Sequence, residues 1–280
     1  MAGRPPHSGG RVDLHAHTVF SDGLLTPEQL VDLAIEKHLM AIAVTDHDSV
    51  EGIEYARKAA AGRLEVVPGI EVSTSMDDLD LHILGYFLDY EQPGLLKRLA
   101  LFRQERRDRV GAIVERLIEL GAPVDLSAIL TAAGPGVVGR PHVAAALMDA
   151  GHVHSMEDAF RMFLGARAKA FVPRPAFHPR DAIEMIEAAG GLSVLAHPGS
   201  YVSDNVVEEL RDAGLTGIEI WHPQHGTALV RRYRQLAARL DLIETGGSDF
   251  HGPHRSTGLG DMRVPVSALR LLKEAAGVPG

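Results

Sequence analysis

Seven apolar segments of strand length recur along this chain, each ends in polar residues, and helical patterns follow most of them. They run over 12–17, 41–46, 64–72, 80–88, 192–197, 217–222 and 242–249. Strand and helix alternating in this way imply parallel strands lying side by side with helices packed outside them. The helices carry recognisable punctuation. Thr26 and Pro27 form an N-cap and first-turn pair opening 28–38, His178-Pro179 opens 180–189 ahead of Gly190-Gly191, and Ser203 caps 204–213 before Gly214.

From Leu95 to about Lys169 the alternation stops and the pattern is helical only. Leu95, Leu99, Phe102, Val110, Ile113, Leu117 and Leu120 fall near one face of a long helix. Shorter helices are expected at 125–133, 141–150 and 156–164, the last with Ser155 and Asp158 spaced as a capping box. The expected organisation is one discontinuous α/β unit, 11–98 and 171–280, interrupted by a helical insertion over 99–170. Residues 1–10, with Gly3, Pro5, Pro6, Gly9 and Gly10, lack periodicity and read as a mobile tail.

Composition narrows the chemistry. The chain has 280 residues, 45% hydrophobic and 23% charged, enough for a sizeable core in an ordinary globular protein. No apolar run approaches the roughly 18 residues that cross a bilayer, and the start lacks the apolar region of a secretory signal, so a cytoplasmic protein without a membrane partner is expected. A net charge of -9 argues against a general nucleic-acid coat but leaves room for a local positive pocket. With no cysteine, any metal must be held by histidine and carboxylate.

The 15 histidines matter by position. His15 and His17, one residue apart on an extended segment, point the same way. On its own such a pair is as easily two half-buried histidines. However, ligand-type residues also end the other strands: Asp22 after the first, His47 after the second, Glu71 on the third, His197 on the fifth, and Asp249 and His251 on the seventh; His82 lies near the start of the fourth. In parallel α/β folds those ends converge on the functional crevice. Nine nitrogen and oxygen donors without sulfur suit two or three divalent ions such as Mn²⁺, Zn²⁺ or Fe²⁺.

Asp13-Leu14-His15-Ala16-His17, Thr45-Asp46-His47, Gly69-Ile70-Glu71 and Ser248-Asp249-Phe250-His251 resemble, in order, the motifs of the PHP (polymerase and histidinol phosphatase) family. The resemblance covers 12–98 and 171–265. It implies a distorted (β/α)₇ barrel with three metals: one on His15, His17, Glu71 and Asp249, a second on Glu71, His82 and His197, a third on Asp22, His47 and His251. Asp22 stands where some relatives carry histidine, which tilts the expected metal toward Mn²⁺.

Three divalent ions outweigh the carboxylates of Asp22, Glu71 and Asp249, leaving the cluster at about +3, or about +2 with a bridging hydroxide, a charge that favours a phosphate over a neutral amide. The expected reaction is phosphoester hydrolysis by a hydroxide held between metals. His222 and His225, in Trp221-His222-Pro223-Gln224-His225, are candidate proton donors or substrate contacts, and His222 equally reads as a packed loop residue. In the insertion, Arg140 and His142 open a helix at Pro141, where free backbone N–H groups favour phosphate; Lys169 offers a second cation. Arg140 is expected to act in catalysis by holding the substrate. Arg103, Arg106, Arg107 and Arg109, interleaved with Glu105 and Asp108, read as a solvated helix face.

Within the family, the insertion and the segment 217–223 most resemble nucleoside 3′,5′-bisphosphate phosphatases, similar proteins also acting as 5′-to-3′ exoribonucleases. A small phosphorylated nucleotide or short RNA is the expected partner, with no stable protein partner evident. The alternatives are a metal-dependent amidohydrolase, disfavoured by the site charge, and a non-catalytic or polymerase-associated module, disfavoured by the complete ligand set.

Overall fold

Eight strands pair edge to edge in the order β7-β6-β5-β4-β3-β2-β1-β8 in a computed structural model describing residues 10–279 except 78, 135 and 254–256. The expected tail therefore lies, apart from Gly10, outside the described residues. The strands are β1 (Arg11–Asp13), β2 (Ala41–Val44), β3 (Glu65–Met76), β4 (Leu79–Tyr86), β5 (Leu192–Leu195), β6 (Gly217–Trp221), β7 (Ile243–Gly246) and β8 (Val264–Pro265). β1, β2 and β3 are parallel, as are β5, β6 and β7.

Parallel pairing does not hold throughout. β4 runs against both β3 and β5, and β8 runs against β1. Met76 and Leu79 are too close in sequence for the crossover that a parallel neighbour requires, so β3 and β4 form a hairpin. The two residues of β8, one of them proline, carry no periodic signal.

The sheet bends round until its ends nearly meet. Past β1, the Leu14 N–H donates to the Gly246 carbonyl at 3.2 Å and the His17 N–H to the Phe250 carbonyl at 2.8 Å, so the chain after β7 pairs with the chain after β1. A Cβ at Gly247 would lie 2.3 Å from the His15 Cβ, and only glycine permits this approach. The result is a nearly closed α/β barrel.

Alternating strand residues divide between two apolar layers. Val12, Leu14, Ala41, Ala43, Leu84, Tyr86, Val194 and Ala196 belong to one cluster, while Ile42, Val44, Ile83 and Leu195 pack with the helices. The buried Tyr86 hydroxyl donates to the Leu14 carbonyl at 2.7 Å, linking β4 to the chain after β1.

The outer helices are α1 (Pro27–Glu36) and α2 (Gly52–Ala60), then, in the second half, α7 (Pro179–Ala188), α8 (Asp204–Asp212), α9 (Thr227–Leu240) and α10 (Val266–Ala276). Thr26 and Gln29 complete a capping box on α1, and His178 and Ser203 cap α7 and α8. Between β4 and α7 lie α3 (Pro93–Glu119), α4 (Leu126–Ala132), α5 (Arg140–Asp149) and α6 (Met156–Ala159), followed by a π turn, Phe160–Leu164, where the sequence suggested one continuous helix. Ser155 caps α6, but the Asp158 carboxylate accepts the Ser155 hydroxyl instead of closing the box on the backbone. Leu95, Leu99 and Phe102 of α3 join the barrel-side core, whereas Val110, Ile113 and Leu117 join a separate cluster with Ile129, Val143, Leu147 and Leu164.

Gly247→Ala is expected to destabilise the protein by about 1–3 kcal/mol through overpacking against His15. Urea denaturation of the metal-free protein measures this, and an unchanged midpoint would show that the backbone yields there.

Candidate metal centre

The barrel brings the carboxyl ends of its parallel strands to one rim, and the reversed β4 brings its beginning there. That reversal explains why His82 near the start of a strand can face Glu71 on its neighbour. Glu71 is not at a strand end, because β3 continues to Met76 as the hairpin. Two buried carboxylates shape the loops around them. Asp13 accepts the backbone N–H groups of Ser248 at 2.9 Å and Gly260 at 2.7 Å, tying β1 to the loop that carries Asp249. Asp46 accepts from the Thr18 backbone and hydroxyl and from the Ser21 hydroxyl, each at 2.7 Å, holding the loop that leads to Asp22.

All nine candidate ligands come together. Glu71 is fully buried, with Oε2 3.3 Å from His15 Nε2, 3.2 Å from His17 Nε2 and 3.0 Å from His47 Nδ1. Its Oε1 lies 2.8 Å from both His82 Nδ1 and His197 Nε2. Asp249 Oδ1 is 3.4 Å from His15 Nε2 and 3.2 Å from His17 Nε2. Asp22 Oδ1 is 3.2 Å from His251 Nε2 and 3.9 Å from His47 Nε2.

Three groups have the spacing of a metal site: His15, His17, Glu71 and Asp249; His17, Asp22, His47 and His251; and His47, Glu71 and His82. His47, not His197, accompanies Glu71 and His82 in the last, although His197 touches the same Glu71 oxygen as His82.

The donor set fits a cation. His15 Nε2, His17 Nε2, Asp22 Oδ1, His47 Nδ1 and Glu71 Oε2 are buried without a hydrogen-bond partner, an expensive arrangement unless an ion occupies the space they face. Burial alone would raise the carboxyl groups, yet His251 and His47 hold Asp22 well below the usual carboxylate range, His47 and His15 do so for Glu71, and His15 and His17 for Asp249. Among the histidines, burial pushes His47 down to about 3, whereas Asp249 and Glu71 overcome burial to push His17 up to about 10.

A seventh histidine points into this group. His222 is buried, and its Nδ1 accepts the Gln224 backbone N–H at 3.2 Å, which leaves the proton on Nε2, 3.5 Å from Asp249 Oδ2. Sequence reasoning passed over Glu219. Its Oε1 accepts from His15 Nδ1 at 3.1 Å, presenting His15 Nε2 to the cluster, and its Oε2 accepts the His197 backbone N–H at 2.8 Å. An acidic residue inside the apolar run Gly217-Ile218-Glu219-Ile220 was the available signal. Asp48, His197 and Asp249, at or beside the site, have left-handed backbone with φ of 50°, 23° and 50°.

The insertion places cations at the rim. The solvated face expected of α3 holds for Arg107 alone, because Arg103, Arg106 and Arg109 recur at a three-residue spacing on the side facing the barrel. Arg103 pairs with Glu51, Arg106 Nε donates to Asp48 Oδ2 at 2.9 Å, and Arg109 Nε donates to the Val172 carbonyl at 2.8 Å. Arg140 opens α5 with its guanidinium 3.7 Å from Asp80, which Arg174 also pairs with. His142 Nδ1 accepts the Gly139 N–H at 3.2 Å, so its other nitrogen carries the proton, and burial lowers its pKa with Asp22 close enough to oppose. His225 is not free for substrate: its ring joins the Ile220 carbonyl at 2.9 Å to the Gly199 N–H at 3.1 Å. Lys169 is exposed, and among the described residues it makes no ion pair with any carboxylate.

Comparison with known proteins gives the following matches. The PHP domain model matches residues 13–108. The chain is 34% identical over 249 residues to the 5′-3′ exoribonuclease Rnm of Salmonella typhimurium, covering 86% of this chain and 85% of that protein. It is 32% identical over 256 residues to the 3′,5′-nucleoside bisphosphate phosphatase of Chromobacterium violaceum, covering 86% and 87%. A crystal structure from Bifidobacterium adolescentis, described as that of a metal-dependent phosphoesterase, superposes with a TM-score of 0.89 at 32% identity over 99% of both chains.

Mn²⁺ at 100 times its Kd is expected to stabilise the native protein by about 2.7 kcal/mol, raising Tm by about 5–10 °C. Asp249→Asn should abolish the shift. Glu219→Gln, which can offer only one acceptor to His15 and His197, should require about 10–100 times more metal for the same shift. A titration of the Glu219→Gln variant that overlays the wild type would remove Glu219 from any part in orienting His15.

Proposed function

The chain belongs to the PHP-domain family and is a metal-dependent phosphoesterase; on that basis we propose that it removes the 3′-phosphate from nucleoside 3′,5′-bisphosphates in the cytoplasm, using three divalent ions, most simply Mn²⁺. One observation carries the choice of a doubly phosphorylated substrate. The candidate metal ligands and a group of arginines share one rim: Asp80, between Arg140 and Arg174, lies two residues before His82 on β4, on the same face of the strand and roughly 7 Å away along it. One end of a bisphosphate fits the cluster and the other fits the guanidiniums.

Each residue then has a role. His15, His17, Glu71 and Asp249 would hold one ion, Glu71, His82 and His197 a second, and Asp22, His47 and His251 a third. The spacing of His47 with Glu71 and His82 would let it serve the ion held by those two as well. The bound ions would supply Lewis acidity, lowering the pKa of water and offsetting phosphate charge. Glu219 keeps His15 in the tautomer whose Nε2 is free. His222, its proton fixed on Nε2 beside Asp249, donates to the leaving oxygen. Arg140 grips the remote phosphate, and the protonated ring nitrogen of His142 adds a neutral donor.

The similarity to the exoribonuclease supports a second reading, release of nucleotides from the 5′ end of short RNA. Both readings place a phosphate against the rim arginines. They differ in which ester is cut.

The deciding assay gives the Mn²⁺-loaded protein adenosine 3′,5′-bisphosphate and, in parallel, a 5′-phosphorylated oligoribonucleotide. Faster phosphate release from the bisphosphate is the expected result, and preferential release of mononucleotides from RNA would overturn it. Arg140→Ala should lower kcat/KM for the bisphosphate by about 10–100-fold, as for loss of a charged hydrogen bond. Its effect on p-nitrophenyl phosphate should be much smaller; equal losses on both would refute a role in holding the second phosphate.

A further inference from the structure

Four guanidiniums gather where the insertion meets the barrel: Arg106 and Arg109 from α3, Arg140 from the start of α5 and Arg174 from the segment returning to the barrel. Arg106 is held by the buried Asp48 and by the Ser73 hydroxyl at 3.0 Å. Arg109 donates to the Val172 carbonyl. Arg140 sits over the Phe160 and Phe171 rings, 5.6 and 6.0 Å from their centroids, and Arg174 donates to the Thr74 carbonyl. Burial, reinforced by Arg140, Arg106 and Arg174, pushes Arg109 down to about 10.

Against this crowded positive charge stands one shared carboxylate. Asp80 contacts Arg174 through Oδ1 and Arg140 through Oδ2, so its two oxygens divide between two guanidiniums as the oxygens of a phosphate would. The partners differ in freedom. The Asp80 side chain is 59% exposed, whereas those of Arg140 and Arg174 are 25% and 21% exposed and are anchored by carbonyls or aromatic rings. The acid can turn into water while the cations stay in place, and an ion pair this exposed on one side is weak.

We propose that Asp80 is a built-in competitor for the phosphate-binding place between Arg140 and Arg174, displaced when a substrate phosphate arrives and returning to help expel the product. The inference rests on the reading that this rim holds the remote phosphate. It adds a physical reason for the acid. Hydrolysis at the metal cluster leaves a product that still carries its second phosphate, and bare guanidiniums would retain it. A carboxylate tethered two residues from His82 is always present at high effective concentration to take the place back.

The test measures inhibition of the Mn²⁺-loaded enzyme by adenosine 5′-monophosphate. Asp80→Asn, which keeps the shape and removes the competing charge, should lower the inhibition constant by about 5–10-fold, with a steeper loss of inhibition as salt rises. Asp80→Glu should stay near the wild type, and its folding provides a control for the site. Unchanged or weaker inhibition in Asp80→Asn would overturn the proposal and make Asp80 a support for the two arginines. If Arg140→Ala weakens inhibition while Asp80→Asn does not strengthen it, only the competitor role fails. If Arg140→Ala leaves inhibition unchanged, the assignment of this rim to a phosphate fails instead.

Discussion

The Glu71 carboxylate is the contact on which the site depends. It is fully buried and touches five histidines: His15, His17 and His47 at one oxygen, His82 and His197 at the other. A charge this deep needs compensation, and among the described residues no lysine or arginine pairs with it. The five rings come from four strands or the loops just beyond them, so the carboxylate can be satisfied only once the barrel has formed. Stability and metal chemistry are joined at this residue.

Closure of the barrel sets the positions of those rings. Gly247 lets the chain after β7 pass against His15, and Asp13 pins Ser248 and Gly260 so that Asp249 turns inward. The hairpin of β3 and β4 performs the complementary service. By reversing direction it puts Glu71, His82 and Asp80 in one neighbourhood, connecting the cluster to the guanidiniums beneath the insertion. Neither service needs a large residue; both depend on backbone geometry.

The insertion shares its longest helix with the barrel. The first half of α3 packs on the barrel core and its second half begins a separate one, so Arg103, Arg106 and Arg109 are carried across the rim at fixed positions. These cations are thereby held on a rigid element and oriented by Glu51, Asp48 and the Val172 carbonyl.

Sequence alone determined that strands alternate with helices and that a helical segment interrupts them, and it singled out nine candidate ligands that the fold brings together, since ligand types at strand ends and capping signals are local features. It also marked Arg140 and His142 by their place at a helix start. Tertiary structure decided the rest. The antiparallel course of β4, the pairing of β1 with the end of β7 and the meeting of Arg174 with Asp80 join residues far apart in the chain, and no local period encodes such contacts. Glu219 sat in plain view within an apolar strand, but its role depends on His15 and His197 lying beside it. The inward turn of Arg106 and Arg109 was hidden for the same reason: a charged helix face is solvated or buried according to what another part of the chain places against it.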